Sequence, residues 1–565
     1  MENKFVDYLN TLHNEQSANV NALAESQVNT AVFKKIEVVR PAAQYLANRI
    51  LNNDNGCLII LTGHAGDGKT TLLFQMLSLL NVPVNGKEQD KTICLESGKN
   101  VHYVKDFSEL TTMKREEVLK KALEDSDKGI YTIIVANTGP LIETFKKVFS
   151  DHIDAEAKII DCIDSVENSE REVYGHAILF LNIALLDNTS FIEPYTKKIL
   201  HADNWSVCVQ CSNENRCPIY RNIKLLQSHS QAISFVRDFY IWEAEHDRRA
   251  TIRQISAHIA YAITGGLDCN TVELKSLKVT DYLFSNLLFG EATNIKNKKL
   301  NQIKGIKMIN DLAIDENSTS FDYALFVQKN YNEIFAKDEN IEVIYNTIEK
   351  MSSKKISDER KRIILKRMML VFSRDIGEER DRLYRDVFST CYPKYLGIRN
   401  GMLKPKNDIK EIIYQALRIT FAGQGKTNED IYITLRRSGE NIQNVHLLIG
   451  RISMNDLDVC SIKQVNSEVS GQEFYQLILQ YNNGFGKKMI KISLPLLNYF
   501  EKIVNGMIIT NVDPLLSHGI ESLKSELLAL CHHSKLDNNE IEVVVQTSMG
   551  CQRHKLYFEA NKISN

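Results

Sequence analysis

The chain lacks a surplus of charge of either sign. Its 565 residues carry 69 lysines and arginines against 71 aspartates and glutamates. No whole-molecule field therefore draws it to a polyanion, and any nucleic-acid surface has to be a local patch. It also lacks an apolar run of the roughly 20 residues that a membrane helix needs. The longest, His-Ala-Ile-Leu-Phe-Leu-Asn-Ile-Ala-Leu-Leu at 176–186, stops at Asp187 and reads as a buried strand that closes a sheet. No apolar segment follows the opening Met-Glu-Asn-Lys-Phe, so no secretory leader is expected. The cysteines are odd in number, 11, and scattered, which argues against a disulfide framework and for a reduced, cytoplasmic protein without membrane attachment. There is no internal repeat and no low-complexity linker. There is no nuclease signature, neither a paired-acid-plus-lysine strand nor a histidine-based motif. The length is too great for one core, and two to four domains are expected.

What is present is a phosphate-binding element. The β-branched run Leu58-Ile-Ile-Leu-Thr62 stops at Gly63-His-Ala-Gly-Asp-Gly-Lys-Thr-Thr71, and Leu72-Leu-Phe-Gln-Met-Leu-Ser-Leu-Leu80 follows as a buried helix. Strand, GxxxxGK[ST] and helix in this order are the context of a P-loop. Gly63, Gly66 and Gly68 let backbone N–H groups turn inward toward phosphate oxygens, with His64, Ala65 and Asp67 supplying the rest of the cradle. Lys69 brings a point charge to the β- and γ-phosphates, the Thr70 hydroxyl suits Mg²⁺, and Thr71 completes the loop at the positive end of the helix. The cofactors implied are ATP and Mg²⁺.

Around this element the sequence alternates strand and helix. Residues 1–30 read as an exposed helical leader, 33–40 as β-like, and 42–51 as an amphipathic helix. Lys91–Leu95 and Val101–Asp106 read as strands. Asp106 and Glu109 are the candidates for the acids that place Mg²⁺ and polarise the attacking water. A charged helix at 114–123 precedes the buried strand Tyr131-Thr-Ile-Ile-Val-Ala-Asn137. Asn137 at its end can donate to phosphate and accept from water, a role such a residue has in AAA+ and related ATPases. Residues 151–171 are acidic and read as a loop. The alternation implies a parallel sheet with ligand groups at its carboxyl edge.

Cys208-Val-Gln-Cys211-Ser-Asn-Glu-Asn-Arg-Cys217-Pro218 has metal-ligand spacing. A fourth ligand is open between His201, His229 and Cys269. Zinc suits the set, and the Cys-Pro ending also occurs in iron–sulfur ligation. Beyond it, His246-Asp-Arg-Arg-Ala-Thr-Ile-Arg253 places arginines at a helix start with Thr251 as N-cap. Arg253 is the candidate to reach the nucleotide phosphates. Residues 295–307 and 353–367 are basic. They offer phosphate-backbone contact or a plain solvated face. From about residue 410 onward, alternating runs at 430–435, 445–449, 474–479 and 541–546, with a helix at 494–504, indicate an α+β domain. Gly423-Gln-Gly-Lys-Thr427 imitates a P-loop but has Thr420 where the first glycine belongs.

These residues resemble the bacterial DNA phosphorothioation-dependent restriction protein DptF family. The resemblance rests on Gly63–Thr70, Asp106-Phe-Ser-Glu109, Ile133-Ile-Val-Ala-Asn137, Phe191-Ile-Glu-Pro194, the Cys208–Asn222 knuckle and Leu283-Phe-Ser-Asn-Leu-Leu-Phe289. It covers about the first half of the chain. The Walker A element here ends Lys-Thr-Thr where that family has Lys-Ser-His, which indicates a diverged member or a sibling. The resemblance implies an ATPase subunit of a multi-protein system that restricts invading DNA, with other defence subunits and DNA as partners. A regulatory ATP switch of the STAND type, which oligomerises and signals, is the alternative. The expected architecture is an α/β P-loop NTPase core, AAA+/STAND-like, with a leader over 1–195. A Cys knuckle and helical lid over 196–290, a helical basic region over 291–405 and an α+β domain over 406–565 follow.

Overall fold

The computed structural model describes residues 2–13, 30–83, 88–165, 170–275, 277, 279–292, 295–296, 303–323, 339–352, 356–372, 378–423, 430–435, 444–464, 467–471, 473–483, 486–507, 512–529, 531, 540–547 and 550–557. The chain divides into two compact units, Met1–Leu383 with Val465–Gln472, and Tyr384–Gln464 with Glu473–Asn565.

The first unit is built on a six-stranded sheet. Its strands are β1 (Leu58–Thr62), β2 (Asp90–Cys94), β3 (Asn100–Val104), β4 (Tyr131–Val135), β5 (Glu170–Val173) and β6 (His176–Asn182), in the order β2-β3-β4-β1-β6-β5. β3, β4, β1 and β6 run parallel, and β2 and β5 flank them antiparallel. Ile60 of β1 stands opposite Ile134 and Phe180. Every residue of β1 and β4 is buried, the pattern of strands covered on both faces. Ile59 and Leu61 point to one side, toward α2 (Pro41–Asn52) and α3 (Lys69–Leu79). Leu58 and Ile60 point to the other, toward α4 (Thr112–Asp127), α5 (Thr138–Val148) and α6 (Ala155–Asp164). The α/β nucleotide-binding expectation for this region holds: a mixed, mainly parallel sheet lies between two helical layers.

Four local readings change. The apolar run at 176–186 is strand only to Asn182, continues as a 3-10 turn over Ile183–Leu185, and does not close the sheet, because β5 pairs outside it. The acidic loop expected at 151–171 contains α6, whose Ile159, Cys162 and Ile163 are buried at helical spacing among the acids that masked the period. The β-like 33–40 stretch is instead helical over Ala31–Ile36, because the Thr30 hydroxyl accepts from the Phe33 N–H and caps that turn. The start of the leader is not an exposed helix: α1 (Lys4–Leu12) buries Phe5, Val6 and Leu9, with Phe5 edge-on to Trp205. Its stretch at 14–29 lies outside the described residues.

The remainder of the first unit is mostly helical. α7 (Pro218–Ser228), α8 (Ser230–Glu245), α9 (Ile252–Thr264) and α10 (Cys269–Leu274) follow the sheet. Thr251 caps α9 as expected, in a reciprocal capping box with Gln254. The basic 353–367 stretch becomes the first part of α11 (Asp358–Phe372). Its cationic face is engaged internally. Arg362 and Lys366 pair with Asp322 at 3.0 and 2.9 Å, and Arg360 pairs with Glu291. Arg367, only 1% exposed, meets Asp315 and lies 4.5 Å over the Phe289 ring. Neither a solvated face nor an open phosphate-contact face describes these four residues. The partner acids are distant in sequence, which is why the local charge pattern did not reveal them. In the 295–307 stretch, Ile295–Lys296 (β8) pairs with Glu291–Ala292 (β7), Lys304 donates to the Arg249 carbonyl at 3.1 Å, and 297–302 lie outside the described residues.

The second unit holds two antiparallel sheets. β9 (Ile431–Leu435), β10 (Val445–Ile452), β14 (Glu540–Thr547) and β15 (Gly550–Tyr557) form one, and β11 (Leu457–Lys463), β12 (Tyr475–Asn483) and β13 (Gly486–Lys491) the other. Helix Asn407–Ala422 packs on β9, and helix Leu494–Val504 packs on that helix. The P-loop imitation begins at Gly423, the residue that ends the first of these helices. Residues 424–427 lie outside the described residues.

Candidate functional site

The P-loop leaves β1 at its carboxyl edge and returns through Gly68, the N-cap of α3. Gly66 and Gly68 have φ of 89° and 84°, the left-handed region that a side chain disfavours. A Cβ on Gly66 would also stand 3.1 Å from Thr251 Oγ1, so the loop is pressed against the start of α9. α3 begins at Lys69 and buries Leu72 through Leu77, which fixes the loop to the core.

Lys69 lies inside the loop's curl. Its ammonium donates to the carbonyls of Gly63 and His64 and to Asn137 Oδ1, each at 2.9 Å. Burial lowers its pKa below the usual lysine value, against the pull of Asp67 and Asp106. Asn137 is brought to Lys69 because β4 lies beside β1, and its backbone N–H donates to Ser108 Oγ at 2.7 Å. Asp106 stands just past the end of β3, one strand further out, in a left-handed turn with φ 58°. Glu109 closes that turn through its N–H to the Asp106 carbonyl at 2.8 Å, and its side chain is exposed. Lys69, Thr70, Asp106 and Asn137 thus share the carboxyl edge of three neighbouring parallel strands, with Glu109 on the outer turn.

Sequence reasoning missed the hub beneath the loop. Asp67 is 0% exposed. Its carboxylate accepts from Arg249 Nη1 at 2.8 Å, Asn188 Nδ2 at 3.4 Å and the His64 N–H at 3.1 Å. Arg40 donates to the Asp67 carbonyl at 3.0 Å. Arg249 also donates to the carbonyls of Ile183 and Leu186 at 3.0 and 3.3 Å. Burial, with Arg249 adding, pushes Arg40 down to about 10, while Asp67 and Asp187 oppose the shift. Of the arginines at 248–253, the structure brings Arg249 to the P-loop side chains. Arg253 reaches the loop through its backbone, N–H to the Gly66 carbonyl at 3.4 Å, with its side chain exposed. Asx residues and arginines are common, and only tertiary packing brings Arg40, Asn188 and Arg249 together.

The cysteine knuckle lies elsewhere in the same unit. Cys208, Cys211 and Cys217 line one cavity of about 30 Å³ together with Cys269, Trp205, Tyr220 and Val272. Of the open candidates for a fourth ligand, Cys269 is the one on this wall. His201 is exposed beside Asp203 at 3.5 Å, and His229 is buried with Nδ1 2.8 Å from the Leu225 carbonyl. Burial pushes the Cys217 thiol up to about 11, with Cys208 and Cys269 adding to the shift. The ten cysteines whose side chains are described form no disulfide. Among the described residues, no three His, Cys, Asp or Glu side chains stand at metal-holding spacing, and no helix is long and apolar enough to cross a membrane.

No family model matches the chain. It is 30% identical over 112 residues to the "Putative ABC transporter ATP-binding protein" of Saccharolobus solfataricus, a match covering 18% of this chain and 21% of that relative. The chain therefore spans about a fifth of the curated relative it matches, and the similarity is to a stretch of an ATP-binding protein.

Proposed function

We propose that this chain binds and hydrolyses Mg-ATP at the Gly63–Thr71 loop. The observation that carries the reading is Lys69 converging with Asn137 Oδ1 at 2.9 Å at the edge where β1 and β4 end. An incoming triphosphate competes for the Lys69 ammonium with the two loop carbonyls, and the loop N–H groups and the start of α3 add to its cradle. In this reading Thr70 and Asp106 hold Mg²⁺, Asn137 orders the γ-phosphate and water, and Glu109 polarises that water. Arg253 is exposed beside the loop and is the arginine that can reach phosphates. The strand β4 between the P-loop strand and the acid-bearing strand supports an AAA+/STAND-like reading over a simple glycine-rich turn. The ATP-binding relative supports the nucleotide part of the reading.

For the role of that ATPase, the resemblance to the DptF family supports a subunit of a bacterial DNA restriction complex, cytoplasmic, with defence subunits and DNA as partners. Among the described residues, α11 offers little to DNA, since its arginines are paired internally. A second reading is favoured by one contact. The Arg249–Asp67 pair ties the segment before α9 to the P-loop, as a nucleotide-operated switch of the STAND type requires. Steady-state ATP turnover with and without duplex DNA separates the two. DNA-stimulated turnover supports the restriction subunit. Slow turnover indifferent to DNA, with ATP-dependent self-association, supports the switch.

A further inference from the structure

Four thiols from three separate parts of the chain meet at one small cavity: Cys208 and Cys211 from the knuckle, Cys217 at the start of α7, and Cys269 at the first position of α10. Each sulfur is also met by N–H groups. Asn3 sends its backbone N–H to Cys269 at 3.4 Å and its side-chain amide to Cys208 at 3.3 Å. The Asn213 N–H reaches Cys211 at 3.5 Å. Cys217 is the N-cap residue of α7, and the N–H groups of Ile219 and Tyr220 face its sulfur. A neutral thiol is a weak acceptor, so N–H donors directed at all four sulfurs match thiolate ligands better than four unrelated core thiols. We infer that Cys208, Cys211, Cys217 and Cys269 form a closed four-thiolate centre for one zinc-class ion, fastening the N-terminal segment, the knuckle and α10 together.

The donor set is that of a structural tetrahedral site, with no position left for water or substrate. The cavity of about 30 Å³ between the thiols suits a single ion rather than a multi-iron cluster. In the structure the sulfurs surround this space without closing to ligand spacing, so binding draws them inward. As each sulfur–metal bond forms, the thiol releases its proton to solvent, and no oxidation state changes. The N–H groups on the four sulfurs and the positive end of α7 offset the net negative charge of a tetrathiolate zinc site. Asn3 bridges two of the ligands, which explains why the start of α1 is held at this place. This inference stands apart from the nucleotide reading and shares no residue with it.

The test is metal analysis of the full chain, expressed with zinc and iron supplied and purified without chelator. About one zinc per chain is expected. Cys269→Ser should lower that content roughly tenfold or more, while Cys460→Ser on β11 leaves it unchanged. If Cys269→Ser does not fold, titrating the wild-type chain with an organomercurial replaces that arm, and zinc should be released in step with the thiols modified. A wild-type chain without stoichiometric metal overturns the inference, as does a folded Cys269→Ser protein with full zinc content. More than one iron per chain with acid-labile sulfide retains the four ligands but overturns the single-ion assignment.

Discussion

Arg249 Nη1 lies 2.8 Å from Asp67 Oδ1, in the P-loop itself, and the carboxylate is fully buried. The loop's shape therefore depends on a residue far along the chain. Removing one partner of a buried ion pair leaves an uncompensated charge, which typically destabilises by about 3–5 kcal/mol. Arg249→Ala should lower the free energy of unfolding by an amount of that order and weaken ATP binding. Asp67→Asn combined with Arg249→Ala should be less damaging than the two single effects added. A denaturant double-mutant cycle checks this, and strict additivity would show that the pair does not couple.

Asp106 and Asn137 are expected to act on turnover rather than on affinity. Neither supplies the loop's N–H groups, and both stand just past strand ends, Asn137 against Lys69 at 2.9 Å and Asp106 near enough to pull the lysine's pKa upward. Asp106→Asn should keep ATP affinity within a few-fold while turnover falls by on the order of 10²-fold. Asn137→Ala should reduce turnover as well, because it removes the amide held against Lys69. Comparing calorimetric affinities with steady-state rates separates the two effects. An unchanged rate in Asp106→Asn would exclude that residue from the Mg²⁺ site.

Glu243 predicts a pH dependence of stability. It is 0% exposed and accepts from Arg248 Nη2 at 3.0 Å. Burial nevertheless pushes its carboxyl up to about 7, with Asp311 adding and Arg248 and Lys304 opposing. Its Oε2 has no hydrogen-bond partner among the described residues. The folded chain thus binds this proton more tightly than the unfolded chain. The associated stability is full below the ordinary glutamate value and is lost as pH rises through about 7. Glu243→Gln should flatten that fall. Thermal unfolding at about pH 5 and about pH 8 reads it, and an equal drop in wild type and variant would assign the dependence to other groups.

The nucleotide loop was legible in the sequence because its parts are consecutive residues. β1, the glycines, Lys69 and α3 follow one another without a break. Asn137 is legible because it stands two residues beyond a clean buried strand, and strand ends of one parallel sheet share an edge. In the sequence Asp67 is only one residue of the cradle, and its partners Arg40, Asn188 and Arg249 carry no local signal. The same limit applies to α11. Lys366 and Arg367 look like part of a cationic surface until Asp322 and Asp315 are seen against them. Period misled where composition was loudest: acids concealed α6, and apolar residues extended β6 beyond Asn182.

The central claim is that the Gly63–Thr71 loop binds Mg-ATP through Lys69. Isothermal titration calorimetry of the wild-type chain and of Lys69→Ala tests it most directly. Mg-ATP should bind the wild-type chain at one site. Lys69→Ala, still folded by circular dichroism, should show no measurable binding, because the loop N–H groups cannot neutralise the triphosphate alone. Undiminished binding to Lys69→Ala, or none to the wild type, would contradict the account.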